Sequence, residues 1–298
     1  MSYAPYIPMI EAARPKSALW RVVLGTVTAI VLTFAWIGLT VAAVALAQGS
    51  GLRAAMMLMF GGPADTPART VLYLVLVGGL AFATLAAAAL WHGRTRASLM
   101  GRGPRVLRDF AIAAAITLVI ASLLSLSQVF VEGEGGLVRN LDLATWLFWL
   151  PFALLALAMQ TGAEELFFRG YLQSQMAARF RSPILWLGLP AILFGFAHFA
   201  PVLPGGNAWL YVGFAALFGL LAGDLTARTG SIGAAWGWHL ANNTLAVLVI
   251  ATEGSVTGLG FWRTTDSLLE PIELSPFMIF DVLILLAVWY AIRRATAR

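Results

Sequence analysis

The chain is built from long apolar runs separated by short polar loops. A helix needs roughly 20 apolar residues to cross the hydrocarbon core of a bilayer. Runs near 19–47, 71–91, 109–130, 144–163, 183–200, 208–226, 231–252 and 276–292 meet or approach that length and predict about eight transmembrane helices. The first is long enough to tilt or to begin as an interfacial helix. The fourth ends in a Glu-Glu-Arg cluster, and Pro190 interrupts the fifth. Backbone in lipid must satisfy its own hydrogen bonds, so these runs read as helices. The short alternating segments of a β-barrel are absent from the pattern. The expected fold class is all-α: a polytopic membrane helix bundle. Segments 49–70 and 253–275 are rich in Gly, Pro and polar residues and read as loops. A composition break near 131–143 divides one bundle into three parts. Residues 1–143 are membrane helices without a readable motif, 144–252 carry the polar islands, and 253–298 form an external loop and a last transmembrane helix.

Composition sharpens this picture. The chain is 60% hydrophobic and 11% charged, against roughly 45–50% apolar and about 25% charged in soluble domains. A soluble globular protein is excluded. The net charge of +5 does not point to nucleic acid, because the positive residues sit in short loops between apolar runs. There they act as topology signals. Arg14, Lys16 and Arg21 precede or open the first run. Arg94, Arg96, Arg102, Arg105 and Arg108, then Arg169, Arg179 and Arg181, then Arg228, and finally Arg293, Arg294 and Arg298 mark the same side. The alternate loops hold Glu132, Glu134, Asp142, Glu253, Asp266, Glu270 and Glu273. Both termini are therefore expected in the cytoplasm, and the even helix count agrees. The chain has no Cys, which removes disulfides, a thiol nucleophile and thiolate metal sites. The first apolar run is too long for a cleavable signal peptide and lacks a small-residue cleavage site. Short loops and a bias of Arg over Lys suggest a bacterial inner-membrane protein. Oligomeric state has no signature.

Candidate chemistry lies in three polar islands within the apolar second half: Glu164-Glu165-Leu166-Phe167-Phe168-Arg169-Gly170, Phe194-Gly195-Phe196-Ala197-His198 and His239-Leu240-Ala241-Asn242-Asn243. Ionisable groups at membrane depth are costly and usually mark function. Glu165 and Arg169 are four apart, share a helix face and can pair. Glu164 is rotated about 100° from Glu165. One carboxylate can be held while the other faces a cavity, where it suits the role of proton acceptor. His239 and Asn243 are also four apart and can donate together to one oxygen, a plausible oxyanion clamp. Asn242, three from His239, is a rival on spacing. Phe194 can pack beneath His198, and Gly195 and Ala197 allow close helix approach.

Taken singly, each feature has an ordinary reading. Glu165 with Arg169 can be an ion pair at a helix end. His198, Asn242 and Asn243 can be helix–helix glue. Trp186, Trp209, Trp236 and Trp238 read as interfacial or packing aromatics. His92, beside an Arg-rich loop, reads as a solvated end residue. Asp224 can pair with Arg228, and Asp281 stands alone. The coincidence is what points to a hydrolytic site, because Glu164, His198 and His239 fall on three different predicted helices. One tension accompanies it. His198 lies roughly 22 Å along its run and His239 only roughly 12 Å along its own. A shared site needs a shifted start, a tilt or a break, with Pro190 a candidate.

Glu164-Glu165-x-x-x-Arg169, Phe194-x-x-x-His198 and His239-x-x-x-Asn243 resemble the three ordered motifs of the CPBP family of intramembrane proteases. That family is related to CAAX prenyl endopeptidases (CAAX prenyl protease 2) and to the bacterial lysostaphin-resistance and bacteriocin-processing proteins. The resemblance covers roughly residues 144–250. It implies that Glu164 and His198 activate water and that His239 and Asn243 stabilise the oxyanion. Glu165 and Arg169 would then set the pose of Glu164. It leaves open a divalent metal such as zinc, for which Glu164, His198 and His239 are acceptable ligands. The His-Glu-x-x-His helix of soluble zinc proteases is absent. The implied substrate is a membrane-associated or lipid-modified polypeptide met at the lipid bilayer, with no nucleic acid partner. Two rivals remain: a proton- or ion-coupled transporter, and a non-catalytic membrane scaffold or immunity protein.

Overall fold

The computed structural model describes residues 3–132, 136–271 and 276–297. It is mostly helical. A short N-terminal helix, α1 (Ile7–Ala13), precedes α2 (Leu19–Ala47), α3 (Leu52–Phe60), α4 (Pro67–His92), α5 (Arg96–Met100) and α6 (Gly103–Glu132). The second half comprises α7 (Leu143–Glu165), α8 (Ser174–Arg179), α9 (Pro183–Ala197), α10 (Gly205–Thr229), α11 (Gly233–Thr244) and α12 (Pro276–Ala295). A widened π-helical stretch, Leu166–Gln173, joins α7 to α8. Among the described residues, five helices are long and apolar enough to cross a membrane: Leu19–Ala47, Pro67–His92, Gly103–Leu123, Leu143–Arg179 and Gly206–Thr229. They are what an integral membrane protein requires. α9 is apolar but shorter, and α11 is shorter still.

Side chains sort by solvent accordingly. Phe34, Leu39, Leu90 and Leu155 point outward from their helices, where lipid would cover them. The centre is the motif helix: every residue from Ala163 to Met176 is buried. Leu166, Phe167, Phe168 and Tyr171 join one core with Phe194, Phe218 and Trp238. α11 lies tightly on α6, since a Cβ on Gly233 or Gly237 would collide with the backbone carbonyls of Val106 and Phe110.

Five expectations need correction. Residues 49–70 are not all loop, because the apolar stretch Leu52–Phe60 closes into α3. The run 231–252 does not stay helical: after a π turn at Leu245–Val249 it becomes strand β2 (Ile250–Glu253). The presumed external loop contains β3 (Trp262–Ser267), and residues Leu137–Arg139 form β1. β3 is central in a small sheet, antiparallel to β1 and parallel to β2, with Leu137 opposite Thr264 and Ile250 opposite Trp262. The fold is thus mostly helical rather than all-α. The strands are rich in β-branched and aromatic residues, which suit a pleated surface. Finally, Pro190 does not break α9, which runs continuously from Pro183 to Ala197. Glu134, Glu273 and Arg298, used above to orient the chain, lie outside the described residues.

The depth mismatch between His198 and His239 has a physical answer in the turn before α11. Gly230, in the left-handed conformation at φ 67°, ends α10. Thr229, Ser231 and Ile232 beside it are buried. The Ile232 N–H donates to the Met100 carbonyl at 3.0 Å, and the Pro5 carbonyl sits against Gly230. The N-terminal segment and α5 therefore form a floor beneath this turn, and α11 starts inside the bundle. Two turns into α11, His239 reaches the level of His198 at the far end of α9.

Candidate active site

Glu164 and Glu165 end α7, buried in the apolar core. Burying two carboxylates is tolerable only with partners, and each has its own. Arg169 Nη1 donates to Glu165 Oε1 at 2.9 Å, the pair that the four-residue spacing suggests. The guanidinium also lies 4.3 Å over the ring of Phe194. Glu165 Oε1 has a second partner that spacing did not reveal, His239 Nδ1 at 2.8 Å. A carboxylate accepts, so Nδ1 carries the proton and Nε2 is turned the other way. Nε2 stands 3.7 Å from Glu164 Oε2.

Glu164 has a partner of its own. Gln160, one turn earlier on α7, donates from Nε2 to Glu164 Oε1 at 2.7 Å. The carbonyl oxygen of Gln160 accepts from Asn243 Nδ2 at 3.2 Å. Glu164 Oε2 is buried and has no hydrogen-bond partner. Gln160 was missed from sequence, although an amide four residues before a buried glutamate, inside an apolar run, was a signal available there.

His198 follows the last turn of α9. Its Nδ1 lies 2.8 Å from the Phe194 carbonyl, and its ring centroid 4.4 Å from that of Phe194. The carbonyl can only accept, so Nδ1 donates and the Nε2 lone pair is left for the cavity. A cavity of about 280 Å³ collects these groups. His198, His239, Asn242 and Asn243 form its polar wall; Phe194, Phe214, Phe218 and Leu285 supply apolar wall. Glu164 is not part of that wall, but it reaches the cavity through its neighbours His239 and, via Gln160, Asn243. Asn242 is exposed and points its amide at Asn243 Oδ1, 3.5 Å away.

The arrangement offers two oriented imidazoles and two amides on one cavity wall, with a carboxylate oxygen that lacks a hydrogen-bond partner behind His239. It does not offer a ready cation cage. Among the described residues no three His, Cys, Asp or Glu side chains converge as metal ligands, so Glu164, His198 and His239 do not fit a metal centre as placed.

Two polar features outside the site also emerge. His92 is buried rather than solvated, with Nδ1 2.9 Å from the Lys16 carbonyl and Nε2 2.9 Å from the Tyr171 hydroxyl. The chain folds back over the end of α4 and covers it, which a local reading of the Arg-rich loop could not anticipate. Asp224 does bind Arg228, at 2.7 Å, and also accepts from Tyr3 and Trp289.

Residues 144–245 match the family described as type II CAAX prenyl endopeptidase Rce1-like, and this segment is a domain of that family. A Bacillus subtilis (strain 168) protein, the uncharacterized protein YyaK, is 31% identical over 151 residues, covering 50% of this chain and 50% of that relative. No solved structure matches the chain.

Proposed function

We propose, from its Rce1-like CAAX prenyl endopeptidase domain over residues 144–245, that this chain is an intramembrane endopeptidase. The observation that carries the reading is the gathering of His198, His239 and Asn243 on one cavity wall, with the unpaired Glu164 Oε2 behind His239. The substrate is a peptide bond in a membrane-associated or lipid-modified polypeptide, and the family's name makes a prenylated C-terminal tail the first one to try.

The chemistry follows from the free atoms. In this reading Glu164 Oε2 and His198 Nε2 accept the proton of a water molecule as its oxygen attacks the scissile carbonyl. Negative charge then grows on the carbonyl oxygen. Asn243 can donate to it, and so can His239, provided its ring carries both protons, with Glu165 supplying counter-charge. Collapse breaks the C–N bond, and the proton taken from water passes to the leaving amine. Arg169 and Glu165 hold the frame. The host is an integral protein of the bacterial inner membrane with both termini in the cytoplasm. Reporter fusions mapping either end outside would refute that orientation.

The test uses purified protein in lipid vesicles and an internally quenched peptide ending in a prenylated CAAX sequence, with its unmodified counterpart alongside. Cleavage by wild type should fall by about a hundredfold or more in Glu164→Gln, which keeps shape but removes basicity. Full cleavage by Glu164→Gln would strip Glu164 of the base role; no cleavage by wild type would favour the scaffold reading, and ion flux lost without proteolysis would favour the transporter.

A further inference from the structure

Resting on the proteolytic reading, we infer that Gln160 is a positioning residue that couples the general base to the oxyanion donor. It lies 7% exposed within the apolar part of α7. A buried amide is costly there unless both ends are bonded. Both are: Nε2 donates to Glu164 Oε1 at 2.7 Å, and Oε1 accepts from Asn243 Nδ2 at 3.2 Å.

The direction of this chain is dictated chemically. The Glu164 carboxylate can only accept, so the NH₂ end of Gln160 must face it. The carbonyl end must then face α11, and Asn243 must present its NH₂ group rather than its oxygen. With the amide turned round, a carbonyl would oppose a carboxylate and Asn243 would lose its reason to point a donor toward the site. The same logic runs in parallel one residue on, where Glu165 fixes the proton of His239 on Nδ1. The two adjacent glutamates thus orient both groups, Glu165 the His239 ring directly and Glu164 the Asn243 amide through Gln160. A second consequence concerns Glu164 itself. Gln160 occupies Oε1, which leaves Oε2, buried, without a hydrogen-bond partner and 3.7 Å from His239 Nε2, as the oxygen that accepts the proton.

Gln160→Met keeps length and packing but removes both hydrogen bonds. On the quenched prenylated peptide its kcat should fall about tenfold to a hundredfold, the scale of a misplaced reacting group, with KM little changed. In the Asn243→Ala background the same change should cost clearly less, because one of the groups it positions is gone. Wild-type turnover by Gln160→Met, or losses that multiply in the double variant, would overturn the assignment. Gln160→Asn decides the matter if the Met variant does not fold. It keeps an amide one methylene too short to span both partners, so reduced kcat supports the role and wild-type kcat refutes it. Glu164→Gln separates the two levels. If it is inactive while Gln160→Met is fully active, only the positioning role falls. If it cleaves normally, Glu164 is not the base and this inference falls with that assignment, whereas a wild type that cleaves nothing removes the proteolytic reading itself.

Discussion

Two buried polar clusters flank the same helical segment, and they differ in what they leave unspent. On one side His92, Tyr171, Arg94 and Ser174 tie α4, α5 and the N-terminal segment to the core. Both nitrogens of His92 are engaged. Arg94 donates to Ser174 Oγ and to the Ser98 carbonyl, each at 2.5 Å. Burial pulls the Arg94 guanidinium down to about 10, which still leaves it charged at neutral pH. On the other side His198 and His239 line a cavity with one ring nitrogen of each hydrogen-bonded, and Glu164 keeps an oxygen without a hydrogen bond. Residue type alone does not separate structural histidines from those proposed to react. Hydrogen-bonding capacity held open beside a space does.

The largest expected effect tests the frame of the reactive cluster. Arg169→Ala leaves Glu165 as a buried charge with only His239 beside it. Removing one partner of a buried pair typically costs about 3–5 kcal/mol. Chemical unfolding in detergent should show a loss on that scale, with activity falling because the site loosens rather than because a reacting group is gone. Unchanged stability would mean that the Glu165–His239 contact alone suffices.

The next effect should appear in turnover. On the proposed mechanism Asn243→Ala removes an oxyanion donor and should raise the barrier by about 3 kcal/mol, with KM largely kept. Asn242→Ala should do far less, because Asn242 is exposed and only approaches Asn243 Oδ1 at 3.5 Å. The opposite pattern in steady-state kinetics would move the oxyanion role to Asn242.

The structural cluster should answer the other way. His92→Phe deprives the Tyr171 hydroxyl and the Lys16 carbonyl of their partner. Stranding such groups costs about 1–3 kcal/mol. Thermal unfolding should register that loss while the folded variant cleaves like wild type. A fall in kcat matching that of Glu164→Gln would erase the distinction between the clusters.

What could be read in advance follows the range of the contacts. Glu165 with Arg169 was legible because both sit on one helix four residues apart, and periodicity alone places them. The apolar runs announced helices for the same reason. The bond from Glu165 to His239 joins residues 74 positions apart, and no local rule reaches that far. His92 was misread for a similar reason, since its partners come from Lys16 and Tyr171 on other elements. The sheet escaped notice because its strands are short, and β1 finds its partner only in β3, far along the chain. Spacing supplied three islands, but the floor under Gly230 that brings them level is built from Pro5 and Met100.

The smallest effect provides the control for the comparison. Asp142 caps α7, accepting from the Thr145 N–H at 2.9 Å and from its hydroxyl at 2.7 Å. It lies at the opposite end of that helix from Glu164, roughly 33 Å away at helical rise. The Thr145 backbone N–H, foremost among its contacts, holds the Asp142 carboxyl below its ordinary value of 3.8. A carboxyl depressed in the folded state adds stability above its unfolded value, and that stability is lost as pH falls through the lower, folded one. Asp142→Ala should therefore lower the unfolding temperature slightly at neutral pH, with the gap from wild type closing only below about pH 4. Cleavage should not change, since a cap stabilises the helix without touching either cluster. If Asp142→Ala impaired turnover as well, the reactive cluster would depend on the integrity of the whole motif helix rather than on its own unspent hydrogen bonds.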